Sequence, residues 1–279
     1  MLSVRNLLIV SIISLITGII FYSCDDKINE VNYNPNVLSA KDYIRAEDAL
    51  FEIVNVFLKG VHDTAVIKHG YRYIDSCTVR FFPSEDLIIF GYGAVDRFCT
   101  DSKFRRGRVI AEFDGDVFLE GVTASLVTDS LFVDDIPYEV NLTITNLGIN
   151  ADNYPEFSLQ LISSYYILQD TNETHGISLA ADFNMIWTEG ISSPEHEDDT
   201  YMINGEASGT SSDLYEFSVN IEEPLRNHLD CFWIISGISQ ITVPSGGIET
   251  GTIDYITVDN CNNEMNFYFN DNFFYEVIK

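Results

Sequence analysis

The sequence predicts an all-β protein, a large antiparallel sheet or β-sandwich built from hairpins, with one N-terminal α-helix. Three observations lead there. Beyond about residue 72, runs such as Val140–Thr145 and Tyr215–Glu222 alternate apolar and polar side chains, the period-2 pattern of strands with one wet face. Leu87–Phe90, Val109–Phe113, Ile177–Trp187 and Phe232–Ile235 are apolar on both faces or nearly so, as in strands covered on two sides. Only one segment carries helical spacing. There Ala46, Leu50, Phe51, Val54, Phe57 and Leu58 recur at three- and four-residue intervals.

The elements follow in order. The first 23 residues read as an export signal, with Arg5 as its basic start, the apolar run Leu7–Tyr22 and the small Ser23 before Cys24. Sixteen apolar residues fall short of the ~20 that span a bilayer. Cys24 is therefore expected to carry a lipid, and two or three acyl chains make such an anchor stable. Residues 24–38 are polar, Asn-rich and contain Pro35, which suits a tether. The helix is expected to begin at an S-x-x-D cap, Ser39 with Asp42, to end near Gly60 and to lie against a sheet edge. Residues 39–279 then form the helix and an antiparallel β domain, either single or as two joined lobes of about 72–165 and 166–279. Asp114-Gly115-Asp116 reads as a hairpin turn, and Asp271-Asn272 as the turn folding Phe273–Ile278 back on the strand before it.

Composition restricts partners. Hydrophobic residues make up 46% of the chain, enough to fill a core, so disorder is not the expectation. The segment before Cys24 holds one base and no acid, leaving 14 bases against 43 acids, a net −29. Such a charge repels nucleic acid and anionic lipid headgroups; it leaves cations, cationic protein patches and neutral glycans as partners, with the membrane reached through the lipid.

Four cysteines remain beyond Cys24, an even number that reads as two disulfides in an oxidising compartment. Of three formal pairings the local one, Cys77–Cys99 with Cys231–Cys261, is preferred. Each loop would restrict the unfolded chain by about 3–4 kcal/mol. No C-x2-C spacing supports a zinc site at the cysteines.

Several phrases taken together resemble a family. They include the helix with Ala46-Glu47, Cys77-Thr-Val, Cys99 followed by Phe104-Arg-Arg-Gly-Arg-Val-Ile110, Thr143-Ile-Thr-Asn146, Tyr201-x-Ile203-x-Gly205, Cys231-x-Trp233-Ile234 and Thr252-Ile-Asp-Tyr255 before Cys261-Asn-Asn. In order and spacing they resemble uncharacterised β-rich surface lipoproteins of the Bacteroidota, over nearly the whole chain after Cys24. The resemblance implies structural cysteines and a lipid anchor, and it brings no activity and no catalytic residues. Leu87–Gly93 lacks an acid the family tends to carry, and Ile256 stands where a glycine is usual. Asp25-Asp26-Lys27 is similar in composition to the surface-export signal of such proteins, which favours outward exposure.

Motifs for chemistry are sparse. No G-x-S-x-G, H-E-x-x-H, P-loop or Rossmann fingerprint occurs, and no cofactor is expected. Glu195, His196, Glu197, Asp198 and Asp199 concentrate metal-competent groups, most simply a solvated acidic loop, with Ca²⁺ binding as the alternative. Lys103, Arg105, Arg106 and Arg108 form the one basic cluster, suited to phosphate or carboxylate, or to pairing with surplus acids. Tyr165, Tyr166, Tyr201, Tyr215 and Tyr268 are the rings that would stack on a sugar if exposed, while Trp187 and Trp233 sit in apolar runs that suit core packing. The expected role is non-catalytic binding, adhesion or structure at an outer membrane or cell surface; a glycan-binding or glycan-processing hydrolase is the alternative.

Overall fold

The structure is a computed structural model that describes residues 34–169, 174–194, 196–244, 249–256 and 261–278. Cys24 and the residues up to 33 that read as signal and tether lie outside them. Helix α1 (Pro35–His62) is followed by a short α2 (Thr64–His69) and fourteen strands. These are β1 (Tyr71–Ile74), β2 (Cys77–Phe82), β3 (Leu87–Phe98), β4 (Phe104–Phe113), β5 (Thr123–Val133), β6 (Ile136–Ile149) and β7 (Pro155–Gln169). The second run is β8 (Thr174–Glu189), β9 (Thr200–Thr210), β10 (Glu216–His228), β11 (Ser236–Val243), β12 (Glu249–Tyr255), β13 (Glu264–Phe269) and β14 (Asn272–Val277). Each strand pairs antiparallel with the next in one meander whose order is the sequence order. The position suggested for a lobe boundary, 165/166, falls inside β7, and the sheet runs through it unbroken.

The helix is the core of the molecule. Twenty of its 28 residues are buried, which a helix laid on a sheet edge with one apolar stripe would not show. Its side chains reach strands far apart in the sheet: Phe57 packs on Phe90 of β3 and Phe113 of β4, Phe51 on Phe183 of β8, and Tyr43 on Phe217 of β10. The sheet therefore curls around α1, and alternate strand residues such as Val79, Leu126, Leu159 and Ile253 point inward. The alternation in the sequence reports this inside and outside directly.

Several local expectations need correction. The helix starts at Pro35, not Ser39; proline is preorganised for a first turn, so four tether residues belong to α1. Ser39 is buried within the helix, and Asp42 accepts hydrogen bonds from the Ser212 amide (2.8 Å) and hydroxyl (2.6 Å) instead of capping. Phe232–Ile235 is not a strand. Asp114–Val122 is a loop with turns of its own and no tight hairpin. The last hairpin turns at Asn270-Asp271, because Phe269 pairs with Asn272. Cys231 and Cys261 are bonded, as expected. Cys77 and Cys99 are buried free thiols. Cys77 opens β2, whereas Cys99 follows the end of β3 in a turn where its amide meets the Lys103 carbonyl.

Candidate functional sites

Two places gather chemistry. The first lies where α1 ends. His62, the last residue of α1, meets His196 and Asp199 of the β8–β9 loop, and one donor atom from each lies within 4.8 Å of the others. His196 Nδ1 is 3.7 Å from Asp199 Oδ2. The loop is turned by the Asp199 amide bonding to the His196 carbonyl, and it can approach because Gly190 (φ +84°) has no side chain. A Cβ there would sit 2.2 Å from Asp199 Oδ1.

The carboxylate is fixed on one side only. Trp187 Nε1 donates to Asp199 Oδ1 at 3.1 Å. Asp199 is 1% exposed, yet its Oδ2 has no hydrogen-bond partner, and neither does the buried Nδ1 of His62. The Tyr201 hydroxyl, also buried without a partner, is held protonated by its burial and by the charge of Asp199. The His62 ring stacks against Trp187 (4.8 Å between centroids) and Phe118 (5.7 Å). Burial, and then the neighbouring His196, lower its pKa to about 4, so the imidazole is neutral at pH 7. Among the described residues this is the group of three histidine, cysteine or acidic side chains placed to share an ion.

Of the acidic-loop residues suggested from sequence, His196 and Asp199 thus converge, Glu197 and Asp198 are exposed and stand apart from the cluster, and Glu195 lies outside the described residues. Two imidazoles and one carboxylate are not the all-oxygen set expected for Ca²⁺. His62 carries no sequence signal for this role. It stands far from the loop in the chain, and a histidine closing a helix is ordinarily read as a partner of the helix dipole.

The second place is the outer face of the sheet. A hollow of about 800 Å³ over β5–β8 includes Glu139, Asn141, Ser163, Tyr165 and Ser178. Glu139, Tyr165 and Ser178 stand opposite one another on successive strands. The Tyr165 ring crosses Gly176, where a Cβ would lie 2.1 Å from its hydroxyl, and it remains 42% exposed. A neighbouring hollow, also about 800 Å³, holds a transverse row of Gln160, Asp182, Glu206, Asn220 and Gln240. Of the other tyrosines singled out, Tyr166 and Tyr201 are buried, Tyr215 is half-buried against the core, and Tyr268 is exposed on β13 beside Phe273.

The basic cluster does not converge on a ligand. Arg105 is buried and bonds Glu52 (2.7 Å) and Asp101 (2.5 Å). Arg106 pairs with Asp96 and Asp135 and lies over the Phe132 ring, and Arg108 pairs with Asp129. Lys103 bonds Glu52 and Asp48; burial opposes its charge, but the two carboxylates outweigh it and raise its pKa. These cations neutralise acids of the helix and neighbouring strands, as a surplus of acids predicts.

Among the described residues no helix is long and apolar enough to cross a membrane. No protein-family model, curated protein or solved structure matches the chain.

Proposed function

We propose that the protein is held by a lipid on Cys24 at the outer face of an outer membrane, where its sheet binds a glycan without transforming it. One observation carries the ligand class: the Tyr165 ring, supported from below by Gly176, lies exposed in a hollow beside Glu139, Asn141 and Ser163. An aromatic platform next to planar polar groups suits a sugar, whose C–H face stacks while its hydroxyls bond the amide and carboxylate. The net −29 of the exported chain disfavours anionic ligands and leaves neutral glycans unhindered.

The rival reading, hydrolysis, has one specific support. Asp182 and Glu206 face each other across β8 and β9. Like charges placed so cost stability, and paired carboxylates are what glycoside hydrolysis requires.

The test is a panel of neutral soluble glycans against full-length protein in detergent, with wild type, Tyr165→Phe and Tyr165→Ala compared. Binding kept by Phe and lost at least about tenfold in Ala is expected, a loss near the 1–3 kcal/mol of a base stacked on an aromatic ring. Equal binding by all three rejects the glycan site. Release of reducing ends that Glu206→Gln abolishes moves the protein to the hydrolase class. Anchorage is tested separately: fatty-acid label should be lost in Cys24→Ala, and wild-type protein should be shaved from intact cells by protease.

A further inference from the structure

We propose that His62, His196 and Asp199 form a binding site for one divalent first-row transition-metal ion, with Zn²⁺ the reference case. The inference is independent of the glycan reading. It rests on geometry and on two orphaned atoms. The donors lie within 4.8 Å of one another, and His196 Nδ1 and Asp199 Oδ2 are already at 3.7 Å. A tetrahedral ion with bonds of 2.0–2.1 Å needs donors about 3.3 Å apart, so closing the site asks the donors to draw in by up to about 1.5 Å. His196, half-buried on a loop, is the ligand free to do so.

Single loose ends occur elsewhere, as at Asp48 Oδ1 and the Ser39 hydroxyl, but here they fall on two members of one group of metal-competent side chains. Buried polar atoms are almost always paired, and each exception calls for an ion, a water or a function. Asp199 Oδ2 is an unpartnered carboxylate oxygen on a residue 1% exposed, and Nδ1 of the His62 ring in the same group is unpartnered as well. A cation answers both, since it replaces several missing hydrogen bonds with coordination. The surroundings match metal sites in another respect. Trp187 Nε1 occupies Asp199 Oδ1 and so directs Oδ2 into the cluster, the outer-shell arrangement that orients ligating carboxylates. Trp187 and Phe118 wall the His62 ring with apolar surface, which strengthens coordination within.

The donor set selects the ion class. Imidazole nitrogens suit zinc, copper, nickel and iron, whereas calcium and magnesium require oxygen. Three protein ligands leave a fourth position for water or a ligand atom. The ion also joins the end of α1 to the β8–β9 loop, so binding should stiffen a junction that otherwise depends on ring stacking.

The experiment uses full-length protein in detergent, stripped with a chelator and titrated with Zn²⁺ and Co²⁺. One equivalent should bind, Co²⁺ should quench the emission of Trp187, and the visible cobalt spectrum should lack thiolate bands. His196→Ala and Asp199→Asn should each weaken Zn²⁺ by more than about 100-fold, beyond what loss of an outer-shell partner costs. His196→Ala alters a loop residue, and circular dichroism reports whether the fold is kept. Failure to bind one equivalent, thiolate bands pointing to Cys77 and Cys99, or wild-type affinity in both folded variants would overturn the proposal.

Discussion

The two ends of α1 treat buried carboxylates in opposite ways. In its first half, Asp42 takes both Ser212 donors, and Glu47 accepts from the hydroxyls of Tyr43 (2.5 Å) and Tyr255 (2.6 Å). Nothing on those carboxylates is left over for a ligand. At the other end, His62, Asp199 and Tyr201 leave a nitrogen and two oxygens buried without partners. Burial alone does not mark a functional site in this molecule, because both ends are buried. Satisfaction of the carboxylates separates them: both oxygens of Asp42 and of Glu47 are bonded, although the Ser39 hydroxyl in the same half of the helix is buried without a partner, whereas Asp199 Oδ2 is completed only by something added.

The middle of the helix gives the largest expected effect. Glu52 meets Arg105 of β4 in a buried ion pair, with Asp101 on the far side of the guanidinium. Arg105→Met should cost about 3–5 kcal/mol in denaturant unfolding, because it leaves Glu52 and Asp101 with charges only Lys103 can answer. Adding Glu52→Leu should recover part of the loss; no recovery would mean that shape, not charge, governs this contact.

Glu47 gives a smaller effect with a definite sign. Burial raises its pKa from 4.5 to about 7, although the two tyrosine hydrogen bonds pull it down. The folded state then binds more protons than the unfolded state between those values, so stability from this group is complete below pH 4.5, falls as pH rises to about 7, and is level above. Glu47→Gln keeps an acceptor and carries no charge. Its stability relative to wild type should therefore rise by on the order of 3 kcal/mol between pH 4.5 and 8. A flat difference would show that Glu47 is ionised in the folded protein throughout.

The same contrast explains what the sequence disclosed. Antiparallel β structure was legible because strands such as β10 alternate, Val219 and Ile221 with exposed neighbours, and the helix because its apolar residues recur at three and four; the curl of one sheet around that helix was not, since the same pattern serves a sandwich. Its start was misread because Ser39 and Asp42 have the spacing of a capping box; only the fold brings Ser212 to Asp42, 170 residues away in the chain. Cys231–Cys261 was legible as the local pair, whereas the same local rule applied to Cys77 and Cys99 names two thiols that are buried and free. His196 and Asp199 were visible as metal-competent neighbours. Their third member was not, because His62 comes to them through the curl of the whole sheet around α1.

The smallest expected effect is the most discriminating, because one substitution is made at both ends. Asp42→Asn puts an NH₂ group, a donor, where the Ser212 amide and hydroxyl need an acceptor, or else rotates and leaves Arg45 facing that donor. It should cost about 2–3 kcal/mol, the penalty for orphaned buried donors. Asp199→Asn keeps the oxygen that Trp187 Nε1 bonds and replaces the unpartnered Oδ2 beside the bare nitrogen of His62. With a chelator present it removes a buried charge and breaks no hydrogen bond, so stability should stay within about 1 kcal/mol of wild type or rise. In saturating Zn²⁺ the order changes only at that end: wild type gains stability by mass action, Asp199→Asn does not, and Asp42→Asn gains as wild type does. Equal losses from both substitutions in chelator would mean that Asp199 Oδ2 already has a partner, and the distinction between the two ends of the helix would disappear with it.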